Sequence, residues 1–330
     1  MTMLAASYER TGPASEVLKI GQLPKPSPGA GEVRVRVATS GVNPSDVKSR
    51  AGLRNPVLPY PLVVPHSDGA GVIDAVGAGV PVERIGERVW LWNAAWGRAM
   101  GSAAQFISLP AAQAVKLPDT VSFEAGACLG IPALTALHAV QCLGGVAGQR
   151  VLIAGAAGAV GHYAVQMARL LGAAQVIATV SSAEKAAVAQ AAGAHATIDY
   201  RKEDLAARVL ELTGGRGVDR IIEVDFAANA AADLAAIRTE GTIVVYGSGQ
   251  PAVPVPFGAA IMKNVQMRWF IVYNLCAADR AAALAQLEIW LERGLLSHAV
   301  AQCLPLERIV EAHEAVESGR VIGNVVLQIS

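Results

Sequence analysis

The chain has no excess of charge of either sign: 27 Lys and Arg balance 27 Asp and Glu. Without a basic surplus, nothing in the total charge draws a polyanion, so neither nucleic acid nor an anionic membrane surface is expected as the main partner. Cysteines are few. Cys128, Cys142, Cys276 and Cys303 never form a C-x-x-C pair, which argues against a disulfide framework or a structural zinc knuckle and for a reducing, cytoplasmic setting. Long apolar runs are lacking too. The longest tract, Val151 to Val180, is broken by His162, Arg169 and several glycines, so no membrane span is expected. The opening segment has no basic stretch followed by a long apolar core, so no signal peptide is expected. Aromatics make up only 5%, so Trp90, Trp92 and Trp96 stand out, as core residues or as a surface on which a flat molecule stacks.

What is abundant is apolar residues, 53% of 330. That length is more than twice the ~150 residues of a typical domain, so two domains are expected. The first third reads as short strands and turns. Val33-Arg-Val-Arg-Val37 alternates strictly, Ala70–Val76 and Glu87–Trp92 are further strand-like runs, and no long amphipathic helix precedes Leu117. The texture then changes. A helix is expected over Ser122–Val140, followed by strand Val151–Ala154, a helix from Ala159, strand Gln175–Val180 and a helix from Ser182. Strand Ala196–Ile198, a helix from Glu203, strand Asp219–Glu223, a helix through Ala230–Ile237 and strand Thr242–Tyr246 complete the alternation. Its strands are apolar without alternation, so an α/β fold with a doubly wound parallel sheet is expected. Beyond Pro256 come a strand near Val265–Val272, helices over Ala277–Glu292 and Leu306–Glu317, and a last strand Val325–Ile329.

The most informative segment is Val151-Leu-Ile-Ala-Gly-Ala-Ala-Gly-Ala-Val-Gly161, set between a buried strand and a helix. Gly155 and Gly158 permit a tight turn with Ala157 between them. Gly158 lets backbone N–H groups approach a pyrophosphate, and Gly161 lets the helix pack on the strand. The helix start at Ala159 and Val160 offers unpaired N–H groups and the positive end of a dipole. At the end of the next strand, where NAD-binding sites place an acid for the ribose, the chain has Thr179-Val-Ser-Ser-Ala-Glu-Lys185. Ser181, Ser182 and Lys185 suit a 2′-phosphate, which favours NADPH. A serine N-cap with a solvated lysine is the other reading, and both can hold together.

Asn43-Pro-Ser-Asp46, Pro65-His-Ser-Asp-Gly-Ala-Gly71, Gly126-Ala-Cys-Leu-Gly-Ile-Pro132, the phosphate loop, Ile221-Ile-Glu223, Val245-Tyr-Gly-Ser248 and Gly323-Asn-Val-Val326 fall in order along the chain. Together they resemble the medium-chain dehydrogenase/reductase superfamily, in its zinc-free quinone oxidoreductase (zeta-crystallin-like) branch. The resemblance implies a GroES-like β-rich catalytic domain from residues 1–122 and 266–330, a Rossmann domain from 123–265, and a homodimer formed through an edge strand of the Rossmann sheet. It also implies cofactor contacts from Tyr200, Gly247, Ser248 and Asn324.

In the zinc enzymes of that superfamily the metal needs a thiolate, an imidazole and commonly a carboxylate. The corresponding places here hold Asn43, Ser67 and Asp68. His66 stands one residue early, where the family usually has glycine, and reads as a packing or surface residue. No metal is expected. Without a Lewis acid, a quinone or a double bond conjugated to a carbonyl is the acceptor best suited to hydride. Asn43 is the candidate beside the nicotinamide, with an Asn-Pro turn as the competing reading. Lys48 stands where the family often has tyrosine; the tyrosine's role does not carry over to it, and it is a candidate to reach a phosphate or to act as a donor. Cys128 reads as a structural residue. The expected function is NADPH-dependent reduction of a quinone or enone. An enoyl-thioester reductase, which needs the missing tyrosine and a basic patch, and a non-catalytic NADPH-binding protein are the alternatives.

Overall fold

The computed structural model describes residues 1–329. In chain order the first elements are β1 (Thr2–Ser7), α1 (Ala14–Val17), β2 (Lys19–Pro24), β3 (Glu32–Val42) and α2 (Pro44–Arg50). Then follow β4 (Asp68–Val76), β5 (Arg88–Leu91), β6 (Phe106–Pro110), β7 (Ala114–Lys116), α3 (Phe123–Gly126) and α4 (Leu134–Gln141). The alternating part comprises β8 (Arg150–Ile153), α5 (Ala159–Leu170), β9 (Gln175–Val180), α6 (Ala183–Ala191), β10 (Ala196–Asp199) and α7 (Leu205–Leu212). It continues through β11 (Val218–Glu223), α8 (Phe226–Ala236), β12 (Ile237–Val245), α9 (Phe257–Met262) and β13 (Gln266–Trp269). The chain closes with α10 (Ala277–Glu292), β14 (Val300–Pro305), α11 (Ile309–Glu317) and β15 (Asn324–Gln328).

Two compact units result. One comprises Met1–Ile131 with the chain from Trp290 onward, the other Pro132–Ile289. In the first, the alternating Val33, Val35 and Val37 of β3 all face the core with no exposure, as period-2 patterning requires. β3 pairs antiparallel with β4, β6 and β15. The register of Val325 on Val42 therefore carries the C-terminal strand back onto the N-terminal sheet.

The second unit is a six-stranded parallel sheet in the order β10-β9-β8-β11-β12-β13, the doubly wound 3-2-1-4-5-6 arrangement. Its strands are buried on both faces, as in Val151, Leu152, Ile153 and Ile221, Ile222. β13 pairs in parallel with β12, so the run expected at Val265–Val272 is a four-residue edge strand of this sheet. The division between units accordingly falls at Ile289 and Ile131 rather than at 265 and 122. The helix expected over Ser122–Val140 is broken into α3, a π-turn at Leu129–Ala133 and α4. Pro132 lies inside that turn, where its missing N–H and its ring interrupt the α-helical ladder.

Candidate active site

The candidate residues divide between the two units. In the parallel sheet, β8 runs into a turn at Gly155, whose φ of 64° lies in the left-handed region. Thr179, at the end of β9, holds this turn twice: its Oγ1 accepts the Gly155 N–H at 3.0 Å and its carbonyl accepts the Ala156 N–H at 3.1 Å. The sequence reading passed over Thr179. Its signal was a hydroxyl at the strand end beside the phosphate loop.

Gly158 precedes the twelve-residue α5, and Ala159 and Val160 in its first turn are half-buried while Ala157 is buried. A Cβ at Gly158 would come near only the Gly155 carbonyl, at 3.2 Å, so the outer side of the turn is open to backbone N–H donors. At Gly161 a Cβ would collide with the Gly155 carbonyl and Ala156; this glycine lets helix and strand close. A bare turn backed by a helix N-terminus fits the pyrophosphate of a dinucleotide.

At the ends of β9 and β10, Tyr200 donates its N–H to the Val180 carbonyl at 3.2 Å. That bond sets the half-exposed Tyr200 beside Ser181. Ser182 is the N-cap of α6, its Oγ accepting the Lys185 N–H at 3.2 Å, so the capping reading holds for this serine. Asp199 is paired with Lys202 at 3.3 Å. At the end of β12, a Cβ on Gly247 would collide with the Val224 carbonyl, and Ser248 Oγ donates to the Gln250 carbonyl at 2.8 Å. Asn324 belongs to the other unit, where its Nδ2 and its N–H both reach the Ala299 carbonyl, at 3.0 and 2.7 Å.

Glu223, the acid of the Ile221-Ile-Glu223 motif, ends β11, and Asp233, which the sequence does not single out, lies on α8. Glu223 and Asp233 are buried. Glu223 accepts from Asn229 Nδ2 at 3.0 Å and from the Asp225 N–H. Asp233 is pushed up to about 9 by burial and by Glu223 beside it. The pair keeps a proton at neutral pH.

In the first unit, Asn43 is the N-cap of α2 and is 3% exposed. Its N–H donates to Asp46 Oδ2 and its Nδ2 to Asp68 Oδ2, both at 2.9 Å. The Asn-Pro turn reading is thus correct for the backbone, while the amide is locked by two acids. Asp68 Oδ2 also accepts the Ile131 N–H at 3.0 Å. Burial raises the Asp68 carboxyl well above its usual range, and Asp46 adds to the shift. Burial raises Asp46 to about 7. Lys48, half-buried, lies in the last turn of the same helix.

His66 is fully buried with φ of 80°, a glycine-like conformation. It lies just ahead of β4. Its Nδ1 meets Ser40 Oγ at 2.9 Å and its Nε2 meets His313 Nε2 at 2.9 Å. Ser40 Oγ meets Ser102 Oγ at 2.8 Å, and Ser102 donates to the Asp68 carbonyl. A carbonyl only accepts, so every donor in the chain is determined: Ser102 to Asp68, Ser40 to Ser102, His66 Nδ1–H to Ser40, His313 Nε2–H to His66. Both imidazoles are neutral; burial holds His66 well below its usual value and His313 at about 3. The tryptophans do not share one environment: Trp90 is core, Trp92 donates Nε1 to the Ala112 carbonyl at 3.2 Å, and Trp96 is exposed. Cys128 is buried, and burial raises its thiol. Among the described residues no group of three or more His, Cys, Asp or Glu is placed to hold a metal ion, and no helix is long and apolar enough to cross a membrane.

A parallel sheet of this order with a glycine cradle, in one chain with a β-rich unit made from both chain ends, defines a nucleotide-dependent dehydrogenase of two domains. Residues 29–119 match the alcohol dehydrogenase GroES-like domain family, and residues 159–288 match the zinc-binding dehydrogenase family. The human quinone oxidoreductase is 31% identical over 318 residues, covering 94% of this chain and 93% of that protein. The 2-haloacrylate reductase of a Burkholderia species is 32% identical over 346 residues, covering 99% of each. Among solved structures, a mycobacterial protein complexed with NADPH is 30% identical with a TM-score of 0.88, covering 99% of this chain and 100% of that one. A Pseudomonas syringae quinone oxidoreductase is 31% identical with a TM-score of 0.88 and the same coverage. The chain belongs to the medium-chain dehydrogenase/reductase superfamily, among its quinone oxidoreductases.

Proposed function

We propose that the protein is an NADPH-dependent, zinc-independent oxidoreductase that reduces quinones or alkenes conjugated to a carbonyl. The observation that carries this reading is the hydrogen-bonded pair of Asn43 and Asp68 in places where zinc relatives set metal ligands. An amide that donates to the carboxyl oxygen, and a carboxyl whose charged form burial disfavours, make a poor ligand set for zinc, which takes thiolate, imidazole or carboxylate donors. The acceptor must then take hydride without metal polarisation, and the names of the quinone and 2-haloacrylate relatives suit such acceptors.

Bound NADPH supplies the hydride. The chain's own part is positional. The turn Gly155–Gly161 holds the pyrophosphate, while Ser181, Lys185 and Tyr200 take the 2′-phosphate. The Asp46–Asn43–Asp68 lock fixes the start of α2, and the Lys48 ammonium donates a hydrogen bond to the acceptor. Gly247 and Ser248, which follow β12 at the sheet's carboxyl end, play a supporting part as loop residues.

We assign the protein to the cytoplasm and expect a homodimer. β13 is the open edge of the parallel sheet, and Phe257, Met262 and Trp269 beside it on α9 and β13 are exposed at 73%, 82% and 48%. Oxidation of NADPH followed against a panel of quinones and enones, with and without a chelator, tests the activity. Turnover unaffected by chelator is expected. Loss of activity that zinc restores would overturn the zinc-independent assignment, and no turnover with any acceptor would overturn the enzyme reading. Gel filtration at the monomer mass would overturn the dimer.

A further inference from the structure

The phosphate turn is held from the neighbouring strand. β9 runs parallel to β8 with Ile177 beside Leu152 and Ala178 beside Ile153, so Thr179 falls one step further on, level with the residues that lead into Gly155. There it takes two consecutive N–H groups, Gly155 on its hydroxyl at 3.0 Å and Ala156 on its carbonyl at 3.1 Å. A carbonyl is present whatever residue stands here. The hydroxyl bond needs serine or threonine, and of the two threonine suits a strand.

Side-chain packing does not fix Gly155. The residue is exposed, its φ is 64°, and a Cβ built on it would meet only Val224 Cγ1, at 3.3 Å. A glycine so placed has other conformations open to it, and hydrogen bonds select this one. Its N–H goes to Thr179, and its carbonyl accepts the Gly158 N–H at 2.9 Å. Thr179 is the rigid partner: it is buried, and on its other side it is paired with Ile198 of β10. The N–H groups of Gly155, Ala156 and Gly158 are thus engaged inside the turn. Those of Ala159, Val160 and Gly161, in the first turn of α5, have no intrahelical acceptor and are the donors available to a pyrophosphate. Their direction follows from the Gly155 peptide, because its carbonyl bonds Gly158, the N-cap of α5.

We infer that Thr179 is a positioning residue for the dinucleotide: its hydroxyl holds the Gly155 peptide so that the turn is formed before the pyrophosphate arrives. This rests on the NADPH-binding role given above to Gly155–Gly161. Without the hydroxyl the Gly155 N–H turns to water, and the closed turn becomes one state among several. The apparent affinity is then reduced by the fraction of molecules in which the turn is closed. NADPH and NADH share the pyrophosphate, so both lose alike, unlike the effect of a change at Lys185.

Isothermal calorimetry on the wild type, Thr179→Val and Thr179→Ser tests this with NADPH, NADH and adenosine 2′-phosphate, which carries the adenosine end of NADPH and no pyrophosphate. Valine keeps the shape of threonine and removes the acceptor; serine keeps the acceptor. The fitted stoichiometry corrects for any unfolded fraction, and Thr179→Ala takes the place of the valine variant if that protein does not fold. We expect Thr179→Val to weaken NADPH and NADH about five- to tenfold each, the factor one ordinary hydrogen bond supplies. Adenosine 2′-phosphate should bind all three proteins equally, and Thr179→Ser should match the wild type. Unchanged NADPH affinity in Thr179→Val would overturn the role of Thr179 and leave the cofactor site intact. An equal loss of adenosine 2′-phosphate, or a serine variant as weak as the valine one, would overturn it too. No NADPH binding by the wild type would overturn the cofactor reading and this inference with it.

Discussion

The imidazoles of His66 and His313 meet Nε2 to Nε2 at 2.9 Å, 247 residues apart in the chain and both without exposure to solvent. His66 takes up a left-handed backbone to do so, a conformation that costs a side-chain-bearing residue free energy and persists only where its surroundings hold it. The contact ties the loop ahead of β4 to α11 of the returning C-terminal segment.

This tie sets an acid limb in the stability profile. His313 has a folded value of about 3 against about 6.5 when unfolded. Below about pH 6.5 the unfolded chain takes up a proton that the folded protein does not, so stability is lost as pH falls toward 3. Between pH 7 and pH 5 this one group costs about 2 kcal/mol. His313→Gln keeps a donor for His66 and does not titrate. Urea unfolding of both proteins at several pH values should show the wild-type advantage over the variant shrinking by about that amount at pH 5. Parallel profiles would mean the His313 ring is protonated or reachable by solvent in the folded state.

Asp68 offers a second check, because its carboxyl is read as neutral. Oδ2 accepts from both Asn43 and Ile131, and a protonated acid resembles an amide in shape and in being neutral, with an oxygen that still accepts. Asp68→Asn should stay within about 1 kcal/mol of wild type, whereas Asp68→Ala leaves two buried donors unsatisfied at about 1–3 kcal/mol each. Thermal or denaturant unfolding decides it. An Asn variant as damaged as the Ala variant would show that the carboxyl is ionised in the native protein.

The parallel sheet and its glycine turn were accessible from the sequence, whereas the return of the last strand to β3 was implied by the family resemblance and not by pattern. Apolar runs, Gly155–Gly161 and the closing Val325–Ile329 are local patterns with local causes, and the order of motifs supplied the rest. The helix over Ser122–Val140 was misjudged because apolar periodicity continues through Gly130 and Pro132 while the hydrogen-bond ladder does not. His66 with His313, and Glu223 with Asp233, were out of reach for another reason. Their meaning lies in burial and in a partner brought by the fold, and a lone histidine or acid carries no mark of either. Thr179 stood in plain view, but its role depends on the register that sets β9 beside β8.

Cofactor choice gives a third prediction. Ser181 follows β9 and Lys185 lies in the first turn of α6, and Asp199, the acid at the end of the neighbouring strand β10, is engaged by Lys202. A lysine on the 2′-phosphate is worth roughly 1.5–3 kcal/mol that NADH cannot gain. Lys185→Ala should weaken NADPH about ten- to a hundredfold with little change for NADH. Ser182→Ala, by contrast, removes the cap of α6 and should cost about 1 kcal/mol of stability. Dissociation constants for both cofactors, with unfolding curves, separate the two. Equal loss of NADH and NADPH in Lys185→Ala would make the lysine a solvated helix residue.

The buried acids of the parallel sheet give the last prediction, opposite in sign to that for His313. Asp233 titrates near 9 in the folded protein and near 4 when unfolded. Between those values the unfolded chain has released a proton that the folded pair of Asp233 and Glu223 still keeps, so stability falls as pH rises through this window. The slope approaches about 1.4 kcal/mol per pH unit for one proton. Asp233→Asn keeps the shape and a donor toward Glu223 and removes the titration. It should be more stable than wild type at pH 8, and the difference should narrow steadily as pH is lowered to 5. Chemical denaturation across that range measures it. A constant difference between the two proteins would show that Asp233 is already ionised in the native sheet, held by a donor other than Glu223.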